Sequence, residues 1–317
     1  MTSMSLRRWL WVAAIGLPLA VFVVWANVTN PKQFLSTLLN GITLAALYFL
    51  VASGFTLVFG LMRNVNLAHG SLFLLGAYMG WVVGDVTDNW FLAIAVGFAS
   101  AALVGFLLQV SIFRFMQGQE LRQTMVTIGL SIVLADLMLW WFGGEIYSFD
   151  PPRAIFKSIT MPIVNKYPTY RIVVLGIAIV IGLLLWWFLN RTKVGMMIRA
   201  GVDDRQMLAA SGVNVQRVFA ITFAIGAGLA GLAGVIGGTA LSISPGEDTR
   251  YLMASLVVVI VGGMGSIPGA AVGALLIGLA EQFGLSYAPT YGVVFTFLIM
   301  VLVLAFRPTG ILGRRAT

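Results

Sequence analysis

The run Ile172-Val-Val-Leu-Gly-Ile-Ala-Ile-Val-Ile-Gly-Leu-Leu-Leu-Trp-Trp-Phe-Leu189 carries no charge, and it is bounded by Arg171 on one side and Asn190-Arg191 on the other. A helix rises about 1.5 Å per residue, so a run of this length matches the ~30 Å of hydrocarbon in a bilayer. The segment lacks the apolar–polar alternation of a barrel strand. In lipid the backbone has to satisfy its own hydrogen bonds, so the run reads as a transmembrane helix.

Runs of the same kind recur along the chain. Of 317 residues, 60% are hydrophobic and 9% are charged, which is too few charges to coat a soluble protein of this size. Spans are expected near 9–26, 34–60, 67–84, 90–113, 124–142, 172–189, 218–241, 251–263, 269–283 and 291–306. The fold class is therefore all-α, a polytopic transmembrane bundle of about ten spans, or about nine if the first is cleaved as a signal peptide. Arg7-Arg8 before an apolar run resembles such a signal, but the run is long for one, so an uncleaved span is the reading adopted.

The net charge of +8 suggests nucleic acid at first sight, but its placement serves topology instead. With the N-terminus in the cytoplasm, Arg7, Arg8, Arg63, Arg114, Arg122, Arg191, Lys193, Arg199, Arg205, Arg217, Arg307, Arg314 and Arg315 fall inside. Lys32, Arg153, Lys157, Lys166, Arg171 and Arg250 fall outside, most of them in or beside the long external loop. Fusing 251–283 into one span would export Arg307, Arg314 and Arg315, so two spans are expected there. Both termini are then cytoplasmic. The chain has no Cys, and its single histidine, His69, cannot form a multi-histidine metal site.

No soluble domain fits. The longest polar stretches are 143–170 outside, where Pro151, Pro152, Pro162 and Pro168 oppose a regular helix, and 190–217 inside. The chain also echoes itself at a shift of roughly 200 residues, where Gly60, Met62, Val65 and Gly76 meet Gly262, Met264, Ile267 and Gly278. Each copy runs into a glycine-rich break and restarts. The second break holds Gly262, Gly263, Gly265 and Pro268. Chance likeness between glycine-rich apolar segments is the bland alternative. Small residues recur every four positions in Gly76, Gly80, Gly84, in Gly226, Ala230, Gly234, Gly238, and in Gly269, Gly273; this spacing allows close helix approach.

Gly226-Ala-Gly-Leu-Ala-Gly231 matches a dinucleotide fingerprint, but it sits inside an apolar helix with no preceding strand, so no nucleotide site follows. No phosphate-binding G-x-x-x-x-G-K-[ST] loop is present, which leaves the chain without an ATPase site of that type. Arg63-Asn-Val-Asn-Leu-Ala-His-Gly70 is a polar patch between two spans. It reads either as a turn in which Asn66 caps the next helix, or as a broken-helix element in which Asn64, Asn66 and His69 line a substrate path. Asp136 lies well inside a span, and such an acid is expected to face the bundle interior, as a structural partner, a path group or a proton site. Glu281 lies near an outer helix end. In the inner loop, Thr192-Lys193-Val-Gly195 is read as a helix end. Asp203-Asp204 fits the start of a short amphipathic helix bearing Met207, Leu208 and Ala210, which Gly212 ends. That helix either rests in the lipid interface or docks in a groove of a partner.

The stretch Gly60-Leu-Met-Arg-Asn-Val-Asn-Leu-Ala-His-Gly70 resembles the signature of the first permease of bacterial branched-chain amino-acid ABC importers. Thr127-Ile-Gly-Leu-Ser131 resembles a second element of that family. Arg191-Thr-Lys-Val-Gly195, Arg199-Ala and Ala209-Ala-Ser-Gly-Val-Asn214 are similar to its cytoplasmic coupling loop, and Val259-Ile-Val-Gly-Gly-Met-Gly-Ser-Ile-Pro-Gly269 with Phe306-Arg-Pro-Thr-Gly310 to its last two signatures. The resemblance implies a permease domain over 34–313, with an extra segment 1–33 and a cytoplasmic tail 314–317. It departs from the family in that extra segment and at Met196 and Met197, where the loop commonly has Arg and Ala.

The resemblance implies import of branched-chain amino acids across a bacterial inner membrane, with Arg199, Asp203, Asp204, Ala209 and Gly212 coupling to ATPases. The partners implied are a second homologous permease, two cytoplasmic ATPases that use the ATP, an extracytoplasmic binding protein and the lipid bilayer. No directly bound cofactor and no nucleic acid is expected. Related permeases importing urea or short amides share these signatures. An ion-coupled secondary transporter or channel using Asp136, and a membrane scaffold, are the readings from other classes.

Overall fold

The structure, a computed structural model, describes residues 24–62, 66–116, 118–153, 155–160 and 166–313. Most of the expected first span, the residues Arg63, Asn64 and Val65, and the tail 314–317 lie outside the described residues.

Helix follows helix. The elements are α1 (Pro31–Met62), α2 (His69–Thr87), α3 (Trp90–Ser111), α4 (Glu120–Phe142), α5 (Thr169–Arg191), α6 (Lys193–Asp203), α7 (Arg205–Ala210), α8 (Val215–Leu241), α9 (Glu247–Gly262), α10 (Ile267–Tyr287) and α11 (Gly292–Phe306). Their starts are written locally. Side chains of Asn89, Asp204, Asn214 and Ser266 each accept a backbone N–H from the first turn that follows, which satisfies donors the helix itself leaves open. Pro268 sits in the first turn of α10, where its missing N–H costs nothing.

Among the described residues, seven helices, α1 to α5, α8 and α10, are long and apolar enough to cross a membrane. α9 has 16 residues and α11 has 15. α9 and α10 are separate helices, as the charge placement required. The described part of the loop after α4 holds a short antiparallel pair, Ser158–Ile159 against Tyr167–Pro168. Mutual backbone hydrogen bonds of 2.9 and 2.7 Å between Tyr147 and Ile243 tie that loop to the end of α8. Trp140 and Trp141 are exposed at one end of α4, and Trp186 and Trp187 at the opposite level on α5, as in two aromatic belts.

α1 and α8 form the buried centre, and α2, α3, α9 and α10 pack around them. α4 and α5 are largely exposed on the outside. Lipid tails are as apolar as leucine, so close packing rather than transfer out of water holds such a bundle together. Three backbones meet at Gly76, Gly97 and Gly231. A Cβ on Gly97 would lie 2.8 Å from the Gly76 carbonyl oxygen, and one on Gly231 would lie 2.2 Å from that of Gly97. Any side chain there would push the helices apart.

Two expectations are corrected. Thr192-Lys193-Val-Gly195 does not end a helix. α5 stops at Arg191, Thr192 caps α6 by accepting the Gly195 N–H at 3.0 Å, and Gly195 lies inside α6. Its lack of a side chain lets α6 fold back on α5, since a Cβ would lie 2.1 Å from the Phe188 carbonyl oxygen. Asp136 does not face the bundle interior; it is exposed on the outer side of α4. α4 touches the bundle mainly through α2, so most of its circumference has no neighbour within this chain.

Candidate functional site

The last turn of α1 lies against the second helix break. A Cβ on Gly60, near the end of α1, would sit 3.2 Å from the Cα of Gly265, in the turn between α9 and α10. The second turn needs glycine, because Gly263 has φ +111° and Gly265 has φ +78°. Gly262 ends α9 and Pro268 opens α10, so all four expected break residues lie at this junction.

The C-terminal segment closes the same junction. Ile311 and Leu312 donate their N–H groups to the carbonyls of Val261 and Gly262, each at 2.9 Å, and so satisfy the open end of α9. Gly310, at φ +79°, comes so near that a Cβ would lie 2.5 Å from the Cα of Gly263. The sequence stretches 259–269 and 306–310 therefore form one unit.

The first break is held from α4. Asn66 accepts the Ala68 N–H on its side-chain oxygen at 3.2 Å, while its carbonyl accepts the His69 N–H. Asn66 thus closes a turn ahead of α2 but does not cap it: Ala68 is the N-cap, and no side chain caps the helix. Thr127 Oγ1 accepts the Leu67 N–H at 3.2 Å, and Ser71 Oγ donates to the Ser131 carbonyl at 3.0 Å. His69 is fully buried. Its Nε2 lies 3.0 Å from the Val51 carbonyl, which can only accept, so Nε2 carries the proton. The imidazole edge also meets the Phe55 ring at 5.3 Å. In this conformation His69 ties α2 back to α1. Asn66 and His69 come together here, and Asp136 stays apart from them on the outer side of α4.

Beneath the breaks, α6 and α7 form an elbow. Ile198 of α6 packs with Leu57 of α1 and Val218 and Phe219 of α8 in one buried cluster. Leu208 of α7 is buried as well, and the Arg205 guanidinium lies 5.0 Å over the Phe219 ring. Asp204 caps α7 by accepting the Gln206 and Met207 N–H groups at 2.8 and 3.0 Å. Gly212, at φ +82°, turns the chain toward α8. Arg199 donates to the Asn190 side chain at 2.7 Å. The opposite face, with Arg199, Asp203, Met207, Ala209 and Gly212, is exposed. One side of the elbow is thus fastened to the two central helices, and the other is presented outward.

Polar contacts toward the other membrane face escaped the sequence reading. Tyr48 donates to Glu281 at 2.7 Å, and Tyr170 donates to the Ile236 carbonyl at 2.7 Å. Arg171 bonds to the Asn40 side chain. The Tyr251 ring stacks on Phe73 at 4.2 Å and meets Tyr48 edge-on at 6.3 Å. Besides Glu281, their sequence signal is isolated tyrosines inside apolar runs.

A bundle of long apolar helices, with the end of α1 set against the α9–α10 break and an elbow fastened to the central helices, is that of a polytopic membrane protein. The family described as branched-chain amino acid transport system, permease component, matches residues 37–304, and the chain belongs to it. The high-affinity branched-chain amino acid transport system permease protein BraD of Pseudomonas aeruginosa is 34% identical over 298 residues, which cover 89% of this chain and 96% of that protein. LivH of Escherichia coli K12, of the same description, is 31% identical over 297 residues, with the same coverage. The ribose import permease protein RbsC of Escherichia coli K12 is 26% identical over 289 residues, 87% of this chain and 86% of that protein. No solved structure matches the chain.

Proposed function

We propose that this chain is the membrane subunit of an ABC importer that moves branched-chain amino acids inward, and that separate ATPase subunits supply the energy. The single observation that carries the coupling is the elbow of α6 and α7. It has an exposed face for a partner and a buried face packed on Leu57, Val218 and Phe219. A push on Met207, Ala209 and Gly212 would reach α8 from α7 and α1 through Ile198 of α6, and Leu57 of α1 lies within one turn of Gly60, which meets the α9–α10 break. The cargo follows from the named transport systems of its relatives.

The assembly would comprise a second, homologous permease, two cytoplasmic ATPases beneath the elbows and an extracytoplasmic binding protein. The exposed side of α4, with Asp136, is a surface on which a second permease could cover an intramembrane acid. Both termini would be cytoplasmic, in a bacterial inner membrane. An ion-coupled carrier would bring Asp136 beside the broken helices, and the geometry separates them.

Vesicles containing the chain, its candidate permease partner, the ATPases and the binding protein should take up leucine only with ATP. Replacing 202–212 by a Gly/Ser linker should abolish uptake while the bundle stays folded. Undiminished uptake with the linker would end the coupling assignment. Uptake by the chain alone, driven by a proton or sodium gradient, would end the ABC reading.

A further inference from the structure

A cavity of about 420 Å³ opens between the end of α3 and the start of α8. Its walls divide by chemistry. Phe106, Val110, Ala220 and Ile221 are apolar, and Phe106 and Ile221 are also exposed on the outer surface of the helices. Gln109, Arg114, Asn214, Gln216 and Arg217 form the polar wall.

Three features of that wall favour an anion. Arg114 and Arg217 converge from different elements, and both are exposed. Among the described residues neither shows a carboxylate partner, unlike Arg250, which pairs with Glu247. The wall also includes the start of α8, where the helix dipole and open N–H groups attract negative charge. Gln109 is the independent observation. It is 1% exposed, it lines the cavity, and neither the oxygen nor the nitrogen of its amide has a hydrogen-bond partner. A buried amide with both ends unmatched is costly unless a ligand completes it, and a phosphodiester next to a glycerol hydroxyl offers both an acceptor and a donor.

We propose that this cavity binds one anionic phospholipid of the cytoplasmic leaflet. Its phosphate lies between Arg114 and Arg217 at the α8 N-terminus, its headgroup meets Gln109, and one acyl chain runs over Phe106, Val110 and Ile221. A wet anion would have no use for the apolar wall, whereas a lipid needs that wall to be continuous with the hydrocarbon-facing surface. Asn214 follows the elbow directly, so a bound lipid would stiffen the joint between the elbow and α8 and so affect transport. The assignment rests on the topology of the permease reading, which puts this end of the bundle at the inner leaflet.

The test uses the purified full chain in detergent, read by native mass spectrometry and thermal unfolding. Phosphatidylglycerol, phosphatidylcholine and inorganic phosphate are the probes. One phosphatidylglycerol should be retained at concentrations at least roughly tenfold below those at which phosphatidylcholine is retained, with a rise in melting temperature, because each basic residue favours an anionic lipid surface. Arg114→Gln with Arg217→Gln should remove that preference, and Gln109→Leu should weaken retention several-fold while leaving the protein folded.

Equal retention of the two lipids would overturn the proposal, and so would a preference indifferent to the double substitution. Saturation by inorganic phosphate alone would overturn the lipid as the occupant. Retention that vanishes when the ATPases are bound, with Arg114 and Arg217 then shielded, would reassign the two arginines to a protein contact and sink the lipid site. Topology is checked separately. The chain has no Cys, so Gln216→Cys gives a single label site, and a membrane-impermeant maleimide should reach it only from the cytoplasmic side. Lipid retention is measured without transport, so its failure is distinguishable from failure of the importer assignment.

Discussion

Gly76 of α2 lies against Gly231 of α8 so closely that a Cβ on Gly76 would fall 2.1 Å from the Gly231 Cα. Nothing flexible can move aside, because the obstructing atom is backbone. Gly76→Leu and Gly231→Val should each destabilise the bundle by at least about 1–3 kcal/mol. The measurement is the melting temperature in detergent by fluorescence-detected size exclusion. Gly176→Ala in α5, where nothing lies within 4 Å, should be neutral or gain about 0.5–1 kcal/mol of helix stability. Similar losses at all three positions would mean that close approach is not what these glycines supply.

Thr127 is the α4 group that anchors the Asn66 turn through the Leu67 N–H. Thr127→Val removes the acceptor and leaves a partly buried donor unmatched, at a cost of about 1–3 kcal/mol. Thr127→Ser keeps the hydroxyl and should retain most of the stability. Hydrogen exchange at Leu67 should rise in the Val variant and stay slow in the Ser variant. Slow exchange in both would show that the contact is dispensable.

The C-terminal clasp should protect α9. Gly310→Ala places a side chain on a left-handed residue already in contact with Gly263, so both backbone strain and collision oppose it. Faster exchange is expected at Ile311, Leu312 and the last turn of α9, together with reduced transport in the reconstituted complex. Unchanged exchange across 259–263 would contradict the role given to this segment.

At the elbow, Asp204→Ala loses two capping bonds and should weaken α7 by about 1 kcal/mol, while Asp204→Asn keeps the cap. The Ala variant should lower both uptake and substrate-stimulated ATPase activity, with the melting temperature of the bundle nearly unchanged. Asn should restore most of each. If Asn fails as badly as Ala, then the negative charge matters at this position rather than the cap.

The sequence by itself settled the solvent of these side chains, the helical class, and the start of the short cytoplasmic-loop helix at Asp204. Those features depend on composition and on neighbours two or three residues away. Tertiary structure decided which glycines meet, that the last turn of α1 abuts the break after α9, that His69 turns back to Val51, and that Asp136 faces outward. The reason is that most spanning helices here are apolar around much of their circumference, so periodicity gives no face to read. Which surfaces touch is then set by steric fit between segments far apart in the chain, and only the folded bundle reveals that fit.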